Sequence, residues 1–143
     1  MAKLELSRQL TLTPQEAWEH VSDLNSLGEW MVMHEGWRSE LPDKLTVGTT
    51  IVGVAGAKGL RNRVTWTIKQ FEPPKLIEVT GKGVGGTRYG LTMTVAEVDA
   101  GSAFTLTMNL GGAPLFGPIG ATAVRAVKGD IERSIRKFEE LYG

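Results

Sequence analysis

No cysteine occurs anywhere in the chain, which excludes disulfides, thiolate metal sites and a cysteine nucleophile. Histidine is nearly as scarce. His20 and His34 are the only two, and two isolated histidines without cysteine do not make a metal site. Neither sign of charge is in excess, since 16 Lys and Arg offset 16 Asp and Glu. That balance argues against a general nucleic-acid or anionic-membrane binder. An RNase would need a basic groove with histidine or carboxylate pairs; Glu139 and Glu140, the adjacent carboxylates, are expected to face solvent on a helix tail. No apolar run is long enough to span a bilayer. The stretch from Met1 to Leu12 alternates and carries charges, unlike a signal peptide. The expected setting is cytoplasmic, on the missing signal rather than on the missing cysteine. No G-x-S-x-G elbow, H-E-x-x-H pair or Lys-containing phosphate loop is present.

What is present suits one domain over residues 1–143. Apolar residues make up 41% and charged residues 22%, a globular balance, and a chain of this length buries roughly two-thirds of its unfolded surface. The 18 glycines concentrate at Gly48 to Gly59, Gly81 to Gly90 and Gly111 to Gly120.

Lys3 to Leu12 alternates with Leu4, Leu6, Leu10 and Leu12 on one face, which predicts a strand. Arg8 falls on that same inward face and needs a partner, either a ligand carboxylate or a nearby acid such as Asp99 or Glu97. Thr13, Pro14 and Glu16 then spell a capping box and a helix start, followed by Ala17, Val21 and Leu24 at helical spacing. Asp23 or Asn25 caps a second short helix carrying Leu27, Trp30 and Met31. Strand-like runs follow at Thr49 to Ala57, Arg63 to Phe71, Leu76 to Thr80, Thr87 to Val95 and Ala103 to Leu110. Their inward sets include Val64, Trp66 and Ile68; Tyr89, Leu91, Met93 and Val95; and Phe104, Leu106, Met108 and Leu110. A long helix closes the chain with the stripe Ile119, Ala123, Val127, Ile131, Ile135 and Phe138, and with Arg125, Lys128, Glu132, Arg136 and Glu139 opposite. The expected fold class is α+β: a helix-grip fold, in which a curved antiparallel β-sheet wraps around a long C-terminal α-helix, with two short helices after the first strand.

The two halves of the last helix differ. Ile131, Ile135 and Phe138 are bulky, whereas Gly120, Ala121, Ala123 and Ala126 are small. Either the sheet approaches the small half closely, as in a filled core, or an apolar void remains there. In the second case Trp66, Met93 and Met108, with Trp30 nearby, would form an adaptable wall. Leu115, Phe116, Ile119 and Ala123 would touch any ligand, with Gly117-Pro118-Ile119-Gly120 opening the helix. His34 and Tyr89 complete the candidate ligand-binding set. With Arg8 they are also the candidates for acid, base or orienting groups if the chain is an enzyme.

Two motifs have plainer readings. Gly81, Gly83 and Gly86 satisfy G-x-G-x-x-G, but a strand rather than a helix follows them, so a flexible hairpin is expected. Arg61, Asn62 and Arg63 read as a solvated strand start, and Glu16 with His20 as a surface pair.

The element order resembles the START-like, Bet v 1-like (SRPBCC) superfamily, which includes polyketide cyclases and lipid-transfer proteins. The likeness is closer to an actinobacterial branch described as toxins of type II toxin–antitoxin pairs. It is carried by Pro14, Ala17-Trp18-Glu19-His20, Ser22-Asp23-Leu24, Glu29-Trp30, Trp37-Arg38-Ser39, Leu41-Pro42, Asn62-Arg63, Trp66-Thr67-Ile68, Pro73-Pro74, Gly83-Val84-Gly85-Gly86 and Leu110-Gly111-Gly112 through Leu115-Phe116-Gly117-Pro118-Ile119-Gly120. The resemblance implies an internal cavity for a hydrophobic small molecule, without a metal or organic cofactor. Its toxin branch implies an antitoxin protein as partner, and its cyclases imply an enzyme of cyclase or dehydratase type. No catalytic residue follows from it.

Overall fold

The alternating opening segment forms β1 (Ala2–Leu10) in the computed structural model, which describes residues 2–57, 60–112 and 117–143. Leu10 is buried, and Leu4 and Leu6 pack against the core on the same face. Thr13 then starts α1 (Pro14–Val21) with the full capping box: its Oγ1 accepts from the Glu16 N–H at 3.2 Å, and its own N–H donates to Glu16 Oε1 at 3.0 Å. These two bonds satisfy donors that a helix start otherwise leaves open. Asp23 caps a single 3₁₀ turn, Leu24–Ser26, rather than the second helix itself. That helix, α2 (Leu27–Trp30), is one turn long.

The remaining strands are β2 (His34–Trp37), β3 (Thr50–Ala57), β4 (Leu60–Glu72), β5 (Leu76–Lys82), β6 (Arg88–Val98) and β7 (Gly101–Gly111). With β1 they form one antiparallel sheet of 7 strands in the order β1-β7-β6-β5-β4-β3-β2. β2 is an addition to the strands expected from alternation. Its four residues carry no clean apolar period and are held by backbone pairing to β3. Two register shifts, between His34 and Gly36 and between Ile68 and Gln70, interrupt the ladders. Such bulges bend a strand and raise its twist, which helps curl the sheet into a half-barrel. The second also changes which parity faces inward. Trp66 and Ile68 precede it, and beyond it Phe71 meets Trp18 of α1 at a ring distance of 5.9 Å.

The concave face is gripped around α3 (Gly117–Tyr142). Ile131, Ile135 and Phe138 are fully buried. The Phe138 ring lies 4.9 Å from that of Phe104 and 5.1 Å from that of Trp30, with Trp30 and Phe104 5.7 Å apart. Burying side chains of this size contributes about 1.5–3 kcal/mol each, so this cluster anchors the C-terminal half of the helix. Ser134 adds a polar tie. Its Oγ donates to the Asp130 carbonyl at 2.8 Å and accepts from the Val32 N–H at 3.0 Å. The loop between α2 and β2 is thereby fastened to α3.

Arg8 meets neither Asp99 nor Glu97. Its guanidinium reaches Glu139 Oε1 at 3.2 Å across the β1–α3 contact. Glu139 is therefore only partly solvent-facing, because α3 turns that side toward β1, whereas Glu140 is exposed. Among the described residues no helix is long and apolar enough to cross a membrane.

Candidate functional site

Between the small-residue half of α3 and the concave face of the sheet lies a cavity of about 680 Å³. Small-molecule sites commonly measure about 300–1,000 Å³. Thr122, Ala123, Ala126 and Val127 form its helical wall, and Ile51, Ile68, Ile77, Leu91, Met93 and Met108 its sheet wall. Leu24, Leu27, Met31 and Met33 close the side beside α2. The physical cause is a mismatch of side-chain size along one helix. The aromatic cluster holds α3 at full distance from the sheet at one end, and alanines at the other end do not reach across.

Of the ten residues expected to touch a ligand, His34, Trp66, Tyr89, Met93, Met108 and Ala123 stand on the cavity surface. Trp30 does not: it is fully buried in the cluster with Phe104 and Phe138. Because α2 is a single turn, Trp30 faces the bulky half of α3, while Met31 and Met33 beyond it reach the cavity. Leu115 and Phe116 lie outside the described residues. Ile119 belongs to α3 by its backbone.

Polar groups gather at one end of this apolar space. His34 opens β2. It pairs with Ala55 of β3, which in turn pairs with Asn62 of β4. His34, Ala55 and Asn62 thus form a cross-strand row, with a methyl group between two polar side chains. The imidazole lies 4.3 Å from the Trp37 ring, and burial holds its pKa below the ordinary histidine value. Trp37 is fixed in turn by its Nε1–H, which donates to the Leu24 carbonyl at 2.8 Å.

Asn62 is the hub of this end. The Val84 N–H donates to its Oδ1 at 2.8 Å, and its Nδ2 donates to Thr87 Oγ1 at 3.0 Å and to the Tyr89 hydroxyl oxygen at 2.8 Å. The hairpin of the G-x-G-x-x-G segment, a 3₁₀ turn at Val84–Gly86 between β5 and β6, is latched to β4 through this amide. Glycine at position 83 follows from the same packing, since a Cβ there would collide with Thr87 Oγ1 and Asn62 Nδ2.

In the sequence Asn62 reads as part of a solvated strand start, and Thr87 is not singled out. A signal for both existed. Asn62 shares the parity of Val64, Trp66 and Ile68, and Thr87 that of Tyr89 and Leu91, so alternation alone put them inward. Arg61, at the cavity mouth, is exposed and paired with Glu35 at 2.9 Å. Arg8, held by Glu139, lies away from the cavity, so the three candidate acid, base or orienting groups do not converge. His20 stacks on Tyr142 at a ring distance of 3.9 Å. Among the described residues no three of His, Asp and Glu are grouped to hold a metal ion.

Comparison with known proteins agrees with this architecture. A solved structure from Thermus thermophilus, that of the protein TTHA0849, superposes with a TM-score of 0.78 at 19% identity, covering 97% of this chain and 95% of that one. A Mycobacterium tuberculosis H37Rv protein named "Uncharacterized protein Rv1546" is 57% identical over 143 residues, the full length of both chains. Another from the same strain, named "Toxin Rv0910", is 40% identical over 142 residues and 99% of each chain. The family model described as polyketide cyclase / dehydrase and lipid transport matches residues 1–143, and with relatives this similar along their whole length the chain belongs to that family.

Proposed function

We propose that this protein binds an apolar or amphipathic small molecule, lipid-like or polyketide-like, in the cavity beneath α3, without transforming it. The observation that carries the reading is the cavity of about 680 Å³ walled almost wholly by aliphatic, methionine and aromatic side chains. Apolar cavities of such size are the usual form of small-molecule sites, and methionines adapt their shape to different occupants. Family membership supports the same reading. Trp37 and Trp66 on the wall supply the test: titration with fatty acids, aromatic polyketides and flavonoids, followed by tryptophan fluorescence, with mass spectrometry of any co-purified ligand. A saturable change with at least one class is expected. No saturation with any class and no co-purified molecule would overturn the reading.

One observation favours a second reading. A relative 40% identical over nearly its whole length is named a toxin. On that reading the chain is the toxin of a type II toxin–antitoxin pair, acts through protein contacts and has an antitoxin partner. Growth arrest on expression, relieved by a neighbouring small gene, is its expected outcome; unimpaired growth would remove it.

A further inference from the structure

Asn62 has no freedom in how its amide is oriented. A backbone N–H can only donate, so the Val84 bond requires Oδ1 on that side. The NH₂ group must then face Thr87 and Tyr89, and the Tyr89 oxygen serves as an acceptor. The hydroxyl hydrogen of Tyr89 is left over, and among the described residues it has no acceptor. Tyr89 and Asn62 both border the cavity, and across Ala55 stands His34, whose burial favours the neutral imidazole. Arg61 is the one charged side chain among the described residues of the lining, and Glu35 already offsets it at the exposed mouth.

We infer that the cavity selects an uncharged ligand bearing a hydrogen-bond acceptor, a carbonyl or ether oxygen, which accepts from the Tyr89 hydroxyl at the Asn62 end. The inference rests on the proposed binding function and adds to it the chemical class and the orientation of the occupant. A carboxylate would also accept from a phenol. Carried into this apolar space with no free cation among the described residues of its lining, however, it would lose hydration that nothing there replaces. A hydrocarbon without an acceptor would leave the Tyr89 donor unsatisfied.

Three probes of nearly equal shape separate these cases: acetylnaphthalene, naphthoate and ethylnaphthalene, substituted at the same ring carbon and titrated by tryptophan quenching. The ketone is expected to bind about tenfold more tightly than naphthoate, whose charge loses its hydration, and several-fold more tightly than the hydrocarbon, the range one satisfied donor provides. Tyr89→Phe keeps the ring that packs 5.9 Å from Trp66. It should erase the ketone's advantage over the hydrocarbon, and the hydrocarbon itself should bind somewhat more tightly than before because no donor is left unsatisfied, which also reports that the cavity is intact. Naphthoate binding as tightly as the ketone, or a ketone preference that survives Tyr89→Phe, overturns the inference and leaves the binding function standing. Failure of all three probes, together with the fatty acids, polyketides and flavonoids, removes both.

Discussion

Ala123 is small where its neighbours along the same stripe, Val127 and Ile131, are larger, and it stands on the cavity wall. Replacing it with Phe projects a ring into space that holds no side chain. Ala123→Phe is expected to abolish ligand binding while stability to urea changes by no more than roughly 1–3 kcal/mol. An unfolded variant would mean that the alanine faces a packed core, and full-strength binding would move the site elsewhere. His34 makes a different prediction. Burial lowers its pKa in the folded state, so between the folded and unfolded values the unfolded chain binds more protons. Stability from the neutral imidazole is present above about 6.5, the ordinary value, and is lost as pH falls toward the folded pKa. His34→Gln should therefore flatten the fall in urea midpoint between pH ~7.5 and ~5 relative to the unaltered chain. Equal slopes for the two proteins would show that His34 contributes nothing to this dependence.

At the scale of elements, the division of labour along α3 matters most. Its last turns are packed by Ile131, Ile135 and Phe138, and its first turns border the cavity. The α2–β2 loop follows whichever way α3 is held, because Ser134 bonds the Val32 N–H. Met31, Met33 and His34 flank that bond, so it positions one whole side of the site. Ser134→Ala leaves the Val32 donor unpaired and should cost about 1–3 kcal/mol in denaturant unfolding. Ligand affinity should also fall, since the loop loses its tether; unaltered affinity would show that backbone pairing of β2 to β3 suffices. Within the sheet, the polar end of the cavity depends on β4 and the β5–β6 hairpin being locked together by Asn62. No single strand contains that site.

For the whole molecule, a cavity is a cost to stability that an occupant offsets. A ligand that binds only the folded form at about one hundred times its Kd stabilises by about 2.7 kcal/mol, which for a chain of this size raises Tm by roughly ten degrees. Thermal scans with and without a ligand found by titration check this, and Ala123→Phe should abolish the rise. An unchanged Tm under saturating ligand would mean that the unfolded chain binds it equally well.

Much of this architecture was legible in the chain. Inward-facing residues repeated every second position in β4, β6 and β7, the Thr13–Glu16 box marked the start of α1, and the apolar stripe defined α3. These are local properties, because backbone geometry imposes periods of two and 3.6 on any segment that buries one face. The contrast between bulky and small halves of α3 was local as well, and it suggested a void without choosing between a void and close packing. That choice required the distance at which the Trp30–Phe104–Phe138 cluster holds the helix, and this joins residues far apart in sequence. The placement of Trp30 in that cluster, the Arg8–Glu139 pair and the short strand β2 have the same origin. So does the orientation of Asn62: parity turned the side chain inward, but only the Val84 N–H, brought over by the β5–β6 hairpin, settled which end of its amide faces Tyr89.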